Sequence, residues 1–165
     1  MMREEIFGSC RLLADAEATR AYYGAHPLTW LGCGCDGCRN FERAVKLLPP
    51  AVRALFSRLG LDPEKPGEIY VLYQTEDGQC LYGGFYHLRG RLLAGESPWP
   101  VVEQRPQGRT ARLEEERMEE IGGLSFGFSE DCNLLPEDFP RPCLQMEVLL
   151  RLPWVLEEPN PYEKG

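Results

Sequence analysis

Residues 33–38 read CGCDGC and place Cys33, Cys35 and Cys38 within six positions. Thiolates two to four residues apart can share one tetrahedral ion. Cys35-x-x-Cys38 has that spacing, and Cys33 adds a third sulfur through a C-x-C step. Zinc is the cofactor this pattern suggests. A closed zinc site takes four ligands, and the chain has no second C-x-x-C or H-x-x-x-H pair. The fourth therefore has to be His87, His26 or Cys80, or else Cys10, Cys132, Cys143 or water. The same cysteines admit two other readings. A C-x-x-C that opens a helix has its thiol pKa lowered by the N-terminal N–H groups, making a nucleophile or redox centre with His87 or His26 as the nearest base. Asp36 works against this, because a carboxylate raises a neighbouring thiol, and no βαβ pattern flanks the motif. Free cysteine also packs as a small apolar side chain. That suits Cys10, Cys80 and Cys143, each beside apolar residues, better than three cysteines interleaved with glycine and aspartate.

Other chemistry is thinly supported. Tyr70, Tyr73, Tyr82, Phe85 and Tyr86 fall on one predicted hairpin. An open face of it would line a pocket or partner surface, and a closed one would put the rings in the sheet core with hydroxyls at its rim. His87, among aromatic neighbours, reads as a satisfied, partly buried histidine. There are 26 carboxylates, but most sit in charge runs such as EEERMEE, so no acid/base pair stands out. No P-loop, dinucleotide fingerprint, HExxH or GxSxG occurs.

Charge and hydropathy exclude several classes. A net charge of −8 with no basic cluster argues against a nucleic-acid partner, whose binding rests on Lys and Arg releasing counterions. No apolar run approaches the ~20 residues of a membrane span. The start, MMREEIFGSCRLL, has neither a basic n-region nor an apolar h-region, which points to a cytoplasmic protein. Seven cysteines without an export signal are expected to be reduced thiols.

Several elements must position these residues. Leu12, Leu13, Ala16 and Tyr22-Tyr23 suggest a helix over 10–25, closed by Gly24 and Pro27. PLTWLG is an extended lead-in to the cysteines, which the surrounding glycines make a loop. Phe41, Val45 and Leu48 predict a helix over 39–48 with Asp36 as N-cap; Val52, Leu55, Phe56 and Leu59 predict another over 50–59, with Pro50 in its first turn and Gly60 ending it. Asp77-Gly78 between apolar runs signals a hairpin over 68–89, and Gly83-Gly84 within it a bulge or a close approach. Residues 95–109 read as an exposed loop, and 110–121 as an ambiguous helix with a thin apolar stripe. LSFGF and LQMEVLLRL alternate as strands. The expected fold class is α+β, an antiparallel sheet with two or three short helices packed on it, as a single domain over 1–165. Its N-terminal segment runs to 27, and a surface tail over 153–165 is pinned by Trp154 and Val155.

The segments CGCDGCRNF, LGLDPEKPGEIY, YGGFYHLRG, SFGFSEDC and LPWVLEEPNP together resemble a family of small bacterial proteins of uncharacterised activity. The resemblance spans residues 28 to 161, with C-x-C-x-x-C-R-N and P-W-V-L-E-E-P as its distinctive motifs. It implies a compact bacterial cytosolic domain whose clustered cysteines belong to the family pattern, and it carries no catalytic residue or ligand. The reading reached from the residues is a non-enzymatic binding or structural domain with a zinc–thiolate site. The alternatives are a thiol-based enzyme or redox protein, and a module that forms a homodimer through its aromatic hairpin.

Overall fold

The longest strand of the sheet organises everything else. The computed structural model describes residues 1–27 and 32–165. In chain order its elements are β1 (Arg3–Phe7), β2 (Cys10–Ala14), α1 (Ala16–Ala25), α2 (Asp36–Ala44), α3 (Pro50–Arg58), β3 (Glu68–Gln74), β4 (Cys80–Ala94), β5 (Val101–Arg105), β6 (Gly108–Ala111), β7 (Glu119–Ile121), β8 (Leu124–Ser129) and β9 (Cys143–Leu152). Strand β4 is 15 residues long. Its first half pairs with β3 and its last part with β2 along one edge, while Cys80–Arg89 pairs with β9 along the other. The main sheet runs β1-β2-β4-β9-β8-β7 with β3 beside β4, and all its strand pairs are antiparallel. With three helices against one core, this is a single α+β domain.

Alternation along β4 and β9 gives the sheet two different faces. Tyr82, Tyr86 and Leu88 stand opposite Leu150, Met146 and Leu144 and form the inner face. Helices α2 and α3 cover it, placing Phe41 against Tyr82 (centroids 5.6 Å apart) and Phe56 edge-on to Tyr86 (4.9 Å). Phe85 and His87 point the other way, opposite Glu147 and Gln145, so the outer face is polar yet largely buried. Gly83-Gly84 marks a close approach: a Cβ on Gly84 would strike the Glu68 carbonyl, and one on Gly83 the Tyr70 ring. The register shift of this hairpin lies instead between Val71 and Tyr73.

The helix over 50–59 and the strands around Asp77-Gly78, 124–128 and 144–152 form where the pattern puts them. Elsewhere the structure corrects the reading. Residues 10–14 are not helical; they pair with β1 and β4, and the helix starts at Ala16 behind Asp15, whose carboxylate accepts the Ala18 N–H. The helix expected over 39–48 starts at Asp36, with Cys35 rather than Asp36 as N-cap, and tightens into a 3-10 turn over Val45–Leu47. The expected loop over 95–109 holds most of the β5–β6 hairpin, and 110–121 carries a 3-10 turn at Glu115–Arg117 and β7 instead of a helix. Most of the PLTWLG lead-in, residues 28–31, lies outside the described residues. Among the described residues no helix is long and apolar enough to cross a membrane.

Candidate metal centre

Helix α2 is the platform of the cysteine cluster. Gly34, at φ +83°, turns the chain just before it, where a residue with a Cβ would be strained. Cys35 is the N-cap and Cys38 lies in the first turn, so the two sulfurs are set by one rigid element while Cys33 folds back from the loop. The sulfurs of Cys33, Cys35 and Cys38 all lie within 4.8 Å of one another, and those of Cys33 and Cys38 are 3.6 Å apart. Three thiolates on one zinc at ~2.3 Å would stand about 3.8 Å apart at tetrahedral angles, close to this arrangement. Cys33 and Cys35 are exposed and Cys38 is half-buried.

The end of the chain builds the wall of the site. Asn40, fully buried, donates to the Tyr82 hydroxyl and the Pro153 carbonyl (3.1 Å each) and accepts the Val155 N–H (2.7 Å). Tyr82 in turn donates to the Gly37 carbonyl at 2.8 Å. Arg39 bridges Asp36 and Glu158 at 2.9 and 3.2 Å. Trp154 donates its indole N–H to the Glu158 carbonyl, and Trp154 and Val155 pack half-buried on the core, pinning the tail as expected. The tail then returns along β3, with Glu163 and Gly165 bonded to Gln74, and brings Tyr162 over Gly37 beside Cys35. Only glycine fits at 37, because a Cβ there would strike the Tyr162 hydroxyl and Val71.

The thiols are electrostatically unlike. Hydrogen bonding from the Cys33 thiol, then the Cys38 backbone N–H, draws Cys35 down to about 7. Burial, aided by the neighbouring thiols, pushes Cys38 up to about 12. Tyr162 is also raised, by burial and by the nearby Cys35.

Of the residues the sequence offers as fourth ligand, none belongs to the one group among the described residues whose ligand atoms are close enough to share an ion. His26 bonds the Tyr22 carbonyl and Asp138 (2.7 and 2.8 Å). His87 is buried in the sheet's outer face and bonded to Gln145. Cys80 is buried and accepts from the Asn160 amide at 3.2 Å. The Tyr162 hydroxyl reaches Cys35, and the sequence reading did not single it out; nothing local marks it, since it lies far along the chain from the cluster. Comparison with protein-family models, curated proteins and solved structures gives no match. The reading of the site therefore rests on its geometry.

The aromatic set divides. Tyr82 and Tyr86 are core residues and line no surface; the correction follows from strand parity, because residues 82 and 86 share the helix-covered face. Tyr73 is exposed and lies beside Gly165. Tyr70 and Phe85 do face outward, where with Trp99, Glu68, Gln145 and Glu147 they line an open cleft of about 380 Å³. Gln145, fully buried, bonds His87 and Glu147 in a row along this face. Burial pushes the Glu147 carboxyl up, against hydrogen bonds from Gln145 and Trp99. A carboxyl raised on folding lends stability below its unfolded pKa, and that stability is lost as pH rises through the folded value. Glu147→Gln is therefore expected to raise the melting temperature at pH 8 by roughly 2–4 °C, as about 1 kcal/mol would in a domain this size, with no gain at pH 4. Equal shifts at both pH values, by calorimetry, would show that the charge is not strained there.

Proposed function

We propose that this protein is a non-enzymatic, zinc-holding binding domain in which Cys33, Cys35 and Cys38 supply three thiolates to one ion. The convergence of the three sulfurs at the head of a helix carries this reading. Solvent or a bound ligand takes the fourth position, on the side left open by the exposed Cys33 and Cys35. Cys35 is drawn down to about 7, towards ionisation at neutral pH, and the metal displaces thiol protons as it binds. The ion then ties the loop before α2 to the helix, and a reducing cytoplasmic setting keeps the thiols available. Zinc content by elemental mass spectrometry tests this. About one zinc per chain is expected in wild type and none in a variant with all three cysteines changed to serine. Metal-free wild type, purified under reducing conditions and still without zinc after reconstitution, would overturn it.

One observation favours a second reading, thiol chemistry at Cys35: its thiol is both exposed and drawn down to about 7. The two readings predict opposite alkylation behaviour. A zinc-bound Cys35 reacts with iodoacetamide only after chelation, whereas a free nucleophile reacts fast at neutral pH with or without chelator.

A further inference from the structure

We propose that Cys132 and Cys143 form a second thiol site, a dithiol that exchanges with carboxylate-bearing low-molecular-weight disulfides and closes to an intramolecular disulfide. The strand register brings the two together. Strands β8 and β9 pair as far as Ser129 and Gln145, and the connector over 130–142 leaves and returns just beyond that pair. Cys132 therefore stands at one foot of the connector and Cys143, the first residue of β9, at the other. Their sulfurs are hydrogen-bonded at 3.2 Å, and a disulfide needs about 2.05 Å, a closure of roughly one ångström. The pair is also apart from the metal cluster: among the described residues, the one group that could hold an ion is Cys33, Cys35 and Cys38.

Access and polarity assign the roles. Both cysteines line an open cavity of about 470 Å³ together with Glu130, Leu135, Arg141 and Pro142, large enough to admit a small disulfide. Cys132 is half-buried and Cys143 buried, so Cys132 meets the incoming disulfide first. The hydrogen bond shared with Cys143 favours a thiolate at Cys132 and outweighs burial there, Arg141 adding to it against the Asp131 and Glu130 carboxylates, while the same coupling with burial holds Cys143 protonated. The exposed Arg141 guanidinium at the rim suits a carboxylate on the disulfide.

The exchange balances without further reactants. Cys132 thiolate attacks one sulfur of R–S–S–R, the S–S bond breaks, and R–S⁻ leaves with the electron pair and takes a proton. Cys143 then gives its proton to solvent and attacks the Cys132 sulfur of the mixed disulfide, expelling the second R–S⁻. The two protein thiols are oxidised to one disulfide and R–S–S–R is reduced to two R–SH. Closure would fix Asn133, whose N–H bonds the Gln145 side chain at 2.7 Å, against the polar row on the sheet's outer face.

The test uses the full chain, reduced and folded, with glutathione disulfide as probe. Acid quenching and alkylation are followed by digestion after Glu137, which puts the two cysteines on separate peptides. Wild type is expected to give a Cys132–Cys143 link with no glutathione retained on either. Cys143→Ser should trap glutathione on Cys132, about tenfold faster than Cys132→Ser acquires it on Cys143. Glutathione retained on wild-type Cys132 without a link, no reaction at either cysteine, or equal rates in the two variants would each overturn the proposal.

Discussion

Chelating the zinc-loaded protein is expected to lower its melting temperature by about 8–16 °C if free metal stood near 1,000 times its Kd, the stabilisation of ~4 kcal/mol that such occupancy gives. The effect should be large because the proposed ligands join two parts of the chain, the loop before α2 and the first turn of the helix. Cys33 belongs to the loop before α2, Cys35 caps the helix, and Cys38 lies in its first turn beneath a tail that runs from Pro153 to the β3 edge. An ion shared by them clamps the glycine-rich turn before α2 to the helix. The variant with serine at 33, 35 and 38 should melt at one temperature with and without chelator. If wild type loses a full equivalent of zinc and its transition does not move, the ion is not structural.

Asn40→Ala should cost about 2–4 kcal/mol, more than a typical surface substitution, because it strands buried backbone groups as well as removing bonds. The amide spans an inner-face tyrosine of β4 and both ends of the turn that starts the tail. Alanine leaves the Val155 N–H and the Pro153 carbonyl without these partners, while Tyr82 keeps its own bond to Gly37. Denaturant titration gives the loss, and cleavage after Glu157 in the folded state shows where it falls. A midpoint unchanged within about 0.5 kcal/mol would mean that the tail is held by Trp154 and Leu156 packing alone.

The parts of this fold that follow from the sequence are those where one periodicity has no rival. Asp77-Gly78 can only be a turn between its apolar arms, and Leu144 to Leu152 alternates over a full strand. The CRLLA strand offers two adjacent leucines, which serve a helix or a strand equally, and its pairing with β1 and β4 decides the matter from outside. Strands β5 and β6 are exposed along their whole length, so no buried face imprints an alternation on them. In the metal centre, the three thiols are visible because they are local. Asn40 and Val155 are 115 positions apart, and no pattern in either segment announces the bond. Gln145 and Glu147 look like the solvent side of a half-buried strand and are instead buried beneath the connectors on the outer face. Alternation shows which residues share a face, without showing what will cover it.

The wall supplied by the tail bears on biogenesis. Cys33, Cys35 and Cys38 lie close to one another and precede the tail in the chain, so under the proposed zinc reading they can capture an ion before the tail is made. Asn40's two partners in the tail, Pro153 and Val155, and Tyr162 emerge only after β9. If the proposed zinc is bound, loading would precede enclosure: a nascent chain should release the metal readily to competing thiols, and a finished one slowly. Retention of the ion would then report that synthesis has reached the end of the domain.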